Sequence, residues 1–106
     1  MTKADVLDRI AEGTGLTKIE TKAVVDGFMT VVAQALREGE RVELRGFGSF
    51  DVQHRAPRTG RNPRTNEPIH IEARYVPVFN VSRELQQSVD ECLKAREDAD
   101  ESEPNP

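Results

Sequence analysis

The chain has no tryptophan, one tyrosine, one cysteine and no apolar run approaching the roughly 18 residues that a membrane span needs. Each shortage excludes something. With Cys92 alone, no intrachain disulfide can brace the fold, and a reducing, cytoplasmic setting is expected. The opening residues, Met1-Thr2-Lys3-Ala4-Asp5-Val6-Leu7-Asp8-Arg9, alternate charge and lack the apolar stretch of a secretory signal. At 106 residues and 36% apolar content there is material for one small domain with a thin core. Oligomerisation is expected to complete that core.

Catalytic chemistry is equally scarce. His54 and His70 form no His-x-x-x-His pair, and no second cysteine offers a metal ligand. Gly46-Phe47-Gly48 is not followed by Gly-Lys-Ser/Thr, so no phosphate-binding loop forms, and no serine or cysteine has an evident base nearby. No catalytic residue, metal, cofactor or small-molecule substrate is expected, and the chain does not read as an enzyme.

What is present starts with two capping boxes. Thr2-Lys3-Ala4-Asp5 places a hydroxyl at a helix start with a carboxylate three residues on. Val6, Leu7, Ile10 and Ala11 follow at helical spacing, until Gly13 and Gly15 stop the helix. Thr17-Lys18-Ile19-Glu20 repeats the device ahead of a stripe from Val24 to Leu36, which predicts a helix about 30 Å long, wide enough in its apolar face to meet a partner subunit. From Arg41 the period changes to two: Val42 and Leu44 alternate with charge, Gly46-Phe47-Gly48 turns, and Phe50 and Val52 resume. Ile69 and Ile71 mark a return strand. Tyr75-Val76-Pro77-Val78-Phe79 is a further strand, with Pro77 expected at a sheet edge or bulge. Ser82 is placed to cap a last helix carrying Leu85, Val89 and Leu93, with Cys92 buried or half-buried on it.

Charge is unevenly spread. The net charge is −4, but residues 90–106 hold seven acids against Lys94 and Arg96, which leaves residues 1–89 at +1. The acidic segment 97–106 has no apolar anchor and is expected to be a disordered tail that either competes with a polyanion for the basic surface or merely keeps the chain soluble. Between the strands, Arg55, Arg58, Arg61 and Arg64 fall three apart with no acid or lysine among them, while Pro57, Gly60 and Pro63 forbid a helix. Such a stretch is an extended cationic ribbon, suited to a polyanion and above all to a DNA groove. Arg64-Thr65-Asn66-Glu67 is the expected hairpin turn, with Asn66 left-handed.

These residues carry a resemblance. Gly46-Phe47-Gly48-Ser49-Phe50, followed by Arg55, Arg58, Gly60-Arg61-Asn62-Pro63 and Thr65, is similar to the bacterial HU/integration host factor family over residues 1 to about 93. Arg41, Glu43, Arg45 and Tyr75-Val76-Pro77 stand nearer to the integration host factor beta subunit than to HU. The resemblance implies an α+β fold over residues 1–96. Two N-terminal helices form a dimer body, a three-stranded antiparallel sheet projects a β-hairpin arm at about 53–74, and a C-terminal helix follows. It implies an intertwined homodimer, or a heterodimer with a related subunit, that clamps double-stranded DNA through the minor groove and bends it within the nucleoid. Pro63 would be the intercalating tip, flanked by Arg61 and Asn62, with Arg55 and Arg58 on the backbone and Arg45 reaching the groove beside Glu43. Arg64 belongs to the same arm, and Lys3, Lys18, Lys22 and Arg83 would add phosphate contacts from the body. Asn80 and Gln86 stand where the family commonly has a basic residue, Ser82 and Asn66 where it commonly has Gly.

Two rivals remain in view. Arg45-Gly46-Phe47-Gly48 matches the start of an RNA-recognition consensus, but Ser49 replaces the stacking aromatic and helices precede the strands. A protein-interaction or phage-assembly module on the same fold, with weakened DNA binding, is the alternative.

Overall fold

The computed structural model describes residues 1–102, with side chains to residue 99. Both capping boxes form. Helix α1 (Lys3–Thr14) starts with the Asp5 amide donating to Thr2 Oγ1 at 3.3 Å and the Thr2 amide donating to Asp5 Oδ2 at 2.8 Å. It runs through Gly13 and ends at Gly15, whose φ of 78° needs no Cβ. Helix α2 (Lys18–Arg37) repeats the pattern with Thr17 and Glu20. Each cap contributes about 1 kcal/mol. The fully buried Thr21 hydroxyl donates to the Thr17 carbonyl at 2.8 Å, so no polar group is stranded at the helix junction.

Strand β1 (Val42–Leu44) leads through the Gly46 turn, at φ 82°, into the long β2 (Gly48–Arg55). Strands β3 (Arg58–Arg61) and β4 (Pro68–Ile71) form the outer hairpin, and β5 (Arg74–Val81) returns beside β2. The body sheet is antiparallel in the order β1-β2-β5, while β3 and β4 pair separately. Pro77 lies on the edge strand β5, where its missing amide breaks no outer ladder. Register puts Val42, Phe50 and Phe79 in line across the sheet. With Pro77 they form the apolar face that meets Phe28, Val32 and Leu36 of α2. Phe79 also stacks against Phe47 and Phe50, with ring centroids 5.3 and 4.9 Å apart.

Almost nothing is buried within one chain. Among the described residues Val32 is the one buried hydrophobic side chain, whereas Val24, Phe28, Met29 and Val31 stand 46–64% exposed along α2. The radius of gyration is 20.5 Å, against about 13 Å for a compact chain of this length. An apolar groove of about 430 Å³ remains open between α2 and the sheet. This is the shape of one half of an intertwined assembly, whose core closes only when a second chain is added.

Helix α3 (Arg83–Ser102) is capped by Ser82, whose hydroxyl accepts from the Leu85 amide at 3.1 Å. It corrects two expectations. It continues past Glu97 to Ser102, so residues 97–102 of the expected disordered tail are helical; residues 103–106 lie outside the described residues. Ala95, Arg96, Glu97 and Ala99 are good helix formers, and the Asp90–Lys94 pair at 3.0 Å supports the preceding turn. Cys92 is exposed, not half-buried, because α3 is exposed from Gln86 to Ala99.

Candidate nucleic-acid interface

The arm grows out of the body sheet without a change of register. Arg55 pairs with Arg74 at the end of the body sheet, and Arg58 pairs with Ile71 at the start of the outer hairpin. The ladder is interrupted between them at Ala56 and Pro57, since proline has no amide to donate. Cross-strand neighbours share a face. Thr59, His70, Arg61 and Pro68 therefore occupy one side of the arm, and Arg58, Ile71, Gly60 and Ile69 the other. Ile71 folds over Gly60 so closely that a Cβ there would lie 3.0 Å from Ile71 Cδ1, which keeps the ribbon thin.

The tip is closed by its own backbone. The Asn66 amide donates to the Asn62 carbonyl at 2.7 Å, and the Asn62 amide to the Glu67 carbonyl at 2.9 Å. Asn66 takes φ 60°, the left-handed conformation expected of it. The turn itself lies over Pro63–Thr65, one residue earlier than the expected 64–67. Asn62 Oδ1 accepts from the Arg64 amide at 2.9 Å, an Asx turn that wraps around Pro63 and leaves its ring exposed at the apex. Asn62 is thus first a turn former, with its side-chain Nδ2 still free. Arg61 Nη1 donates to the Asn66 carbonyl at 3.3 Å and steadies the tip from below.

Electrostatics separate the lysines from the arginines. Among the described residues all four lysines have a carboxylate within 4 Å, whereas ten of the eleven arginines have none. Lys3 and Lys22 share Asp26, Lys18 meets Asp8 at 3.4 Å, and Arg41 alone of the arginines is paired, to Asp51 at 3.2 Å. The structure therefore brings Arg55, Arg58, Arg61, Asn62, Pro63 and Arg64 onto one projecting arm with its charge uncompensated. It leaves Lys3, Lys18 and Lys22 partly neutralised on the helices. Arg45 is exposed at the β1–β2 turn beside Glu43 and Ser82, and Arg83 is exposed and unpaired at the start of α3.

Sequence reasoning missed Arg74. Its signal was available: once the hairpin is closed at the right residue, the register sets Arg74 opposite Arg55 and doubles the charge at the arm's root. It also missed Asp51, which accepts from Asn80 Nδ2 at 2.8 Å and from Ser49 Oγ at 2.9 Å while holding Arg41. These bonds, Asn80 first, Ser49 next and then the Arg41 charge, hold the Asp51 carboxyl below the usual carboxylate range.

This geometry has known counterparts. The family model of bacterial DNA-binding proteins matches residues 1–90. The chain belongs to that family. It is 46% identical over 91 residues to integration host factor subunit alpha of Delftia acidovorans, covering 86% of this chain and 83% of the relative. It is 42% identical over 96 residues to integration host factor subunit beta of Hahella chejuensis, covering 90% and 98%. An HU–DNA cocrystal structure from Anabaena superposes with a TM-score of 0.78 at 37% identity, covering 84% of this chain and 97% of that one. The expected α+β fold and the expected family are both borne out. The family is one of DNA-binding proteins, not of enzymes, and DNA is the ligand its members share. Among the described residues no helix is long and apolar enough to cross a membrane.

Proposed function

We propose that this protein is a dimeric architectural protein of the bacterial nucleoid that bends duplex DNA by laying two β-arms in the minor groove. The observation that carries this reading is the arm itself: an extended hairpin with unpaired Arg55, Arg58 and Arg64 and with Pro63 exposed at its apex. The planar, weakly hydrated guanidinium suits a narrow electronegative groove. Proline suits a wedge between base pairs because its ring is rigid and apolar and it has no amide hydrogen to strand among stacked bases. Opening one step costs about a few kcal/mol, offset by the contacts that a bent duplex makes with the body. In this reading Arg55, Arg58, Arg61 and Arg64 hold phosphates and groove walls, Arg45 reaches the groove from the body, and Arg83 and Lys3 lie against the flanking backbone. The acidic end of α3 and the residues after it compete with DNA for the arm.

The test separates grip from bend. Arg58→Ala with Arg61→Ala should lower affinity and reduce the log–log salt slope by about 0.9 for each phosphate that is no longer neutralised. Pro63→Ala should narrow the bend seen by end-to-end fluorescence transfer on a short duplex while the salt slope stays within error. Affinity unmoved by the double arginine change would instead favour a protein-interaction module on the same fold.

A further inference from the structure

The body sheet has two unlike faces. Phe50, Val52, Phe79 and Pro77 look towards α2, and register places Glu43, Ser49, Asp51, Gln53, Asn80 and Arg55 with Arg74 on the opposite face, with Val76 and Val78 among them. That second face turns away from the helices and runs without interruption into the root of the basic arm. In the clamping reading, DNA held by the arms passes over it. Yet in its middle stands a carboxylate with three partners of its own: Asn80 Nδ2 at 2.8 Å, Ser49 Oγ at 2.9 Å and Arg41 Nε at 3.2 Å. An acid beside a polyanion is repulsive; Glu43, opposite Ser49, shares this face, but Asp51 is the one anchored in the sheet, with its side chain 25% exposed while that of Arg41 is 60% exposed.

We propose that Asp51 is an internal rival to DNA: its carboxylate stands in for a phosphate and withholds Arg41 from the duplex crossing the sheet. This rests on the DNA-clamping reading above. The chemistry is an exchange of anions on one guanidinium. Asp51 offers Arg41 a charge-assisted contact that persists in free protein, so a phosphate gains nothing there unless it displaces a carboxylate already held by the Asn80 and Ser49 donors. Those two hydrogen bonds are what make the rival effective, because they fix Asp51 towards Arg41 and stabilise its charged form. Asn80 contributes twice, as an uncharged residue on a face destined for DNA and as the clamp on Asp51.

Asp51→Asn keeps the shape and can still accept a hydrogen bond from Asn80 or Ser49, but gives Arg41 no anion. Binding to a plain duplex is measured across salt for the wild type, Asp51→Asn, and Asp51→Asn with Arg41→Ala. The single variant should bind more tightly, with a slope steeper by about 0.9 for each protomer whose Arg41 reaches a phosphate. The double variant should return to the wild-type slope. An unchanged slope in the single variant overturns the proposal. So does a steepened slope that survives loss of Arg41, because the gain would then come from removing an acid and not from freeing that arginine. If Asp51→Asn does not fold, as judged by circular dichroism, Asp51→Ser serves in the same comparison with the same outcomes. Arg58→Ala with Arg61→Ala runs alongside: if that variant loses affinity while Asp51→Asn gains none, only the rivalry fails and the clamp stands.

Discussion

Gly48 opens β2 directly beneath the ring of Phe79: a methyl group on Gly48 would lie 2.6 Å from Phe79 Cζ and 2.5 Å from the Asn80 carbonyl oxygen. The second of these is backbone of the neighbouring strand, so it cannot turn aside. Gly48→Ala should therefore force β2 and β5 apart at the root of the sheet and cost about 1–3 kcal/mol, the range for overpacking. Denaturant unfolding measures it. A loss of less than about 0.5 kcal/mol, the scale of an ordinary surface change, would mean that β2 and β5 can separate there at little cost.

The open apolar face of α2 makes a different demand. Phe28 is 46% exposed in the single chain and lines the groove that ends on Phe50 and Phe79. If a second chain closes that groove, Phe28→Ala should cost about 3–5 kcal/mol, the value for a fully buried ring. The unfolding midpoint of the wild type should also rise with protein concentration. A midpoint independent of concentration over a hundredfold range, together with a small loss for Phe28→Ala, would contradict dimer-dependent folding.

Much of this was legible in the sequence, for reasons that differ by element. The capping boxes at Thr2 and Thr17 are local codes, readable because donor and acceptor lie three residues apart. The arm was readable because Pro57, Gly60 and Pro63 exclude a helix and the four arginines exclude a core. Arg74 and Asp51 were not readable in the same way. Their importance depends on cross-strand neighbours 19 and 29 residues away, Arg55 and Asn80, and a hairpin centred one residue off hides both pairings. The helical course of residues 97–102 was missed because a run of acids reads as unfolded, although Glu97, Ala99 and Glu101 within it are strong helix formers.

Acid should loosen the helical body before it touches the arm. Asp26 is held below the usual carboxylate range, first by its bond from Lys3 and then by the charges of Lys3 and Lys22. Asp5 and Glu20 are lowered by their capping bonds from Thr2 and Thr17. A carboxyl whose folded value lies below its unfolded value contributes stability that is complete above the unfolded value and vanishes as pH falls through the folded one. The melting temperature should therefore hold near neutrality and decline below about pH 4.5, where carboxyls in an unfolded chain begin to take up protons. Asp26→Asn should flatten part of that decline. An acid limb identical in the variant would show that the Lys3 and Lys22 pairs carry no linkage, as many exposed ion pairs do not.

The acidic C-terminal segment gives the clearest choice between a solubilising role and a competing one. Residues 97–106 contain Glu97, Asp98, Asp100, Glu101 and Glu103 and no base. If these acids compete with DNA for the arm, a chain ending at Arg96 should bind duplex DNA more tightly. The gain should be greatest near 0.01 M salt, where charges act over about 30 Å, and should shrink towards nothing as screening shortens that reach to about 3 Å at 1 M. A segment that only keeps the protein soluble predicts equal affinity at every salt concentration, with the shortened chain differing instead in its tendency to aggregate. A gain independent of salt would fit neither role, since competition between carboxylates and phosphates for the same arginines is electrostatic and must fade with screening.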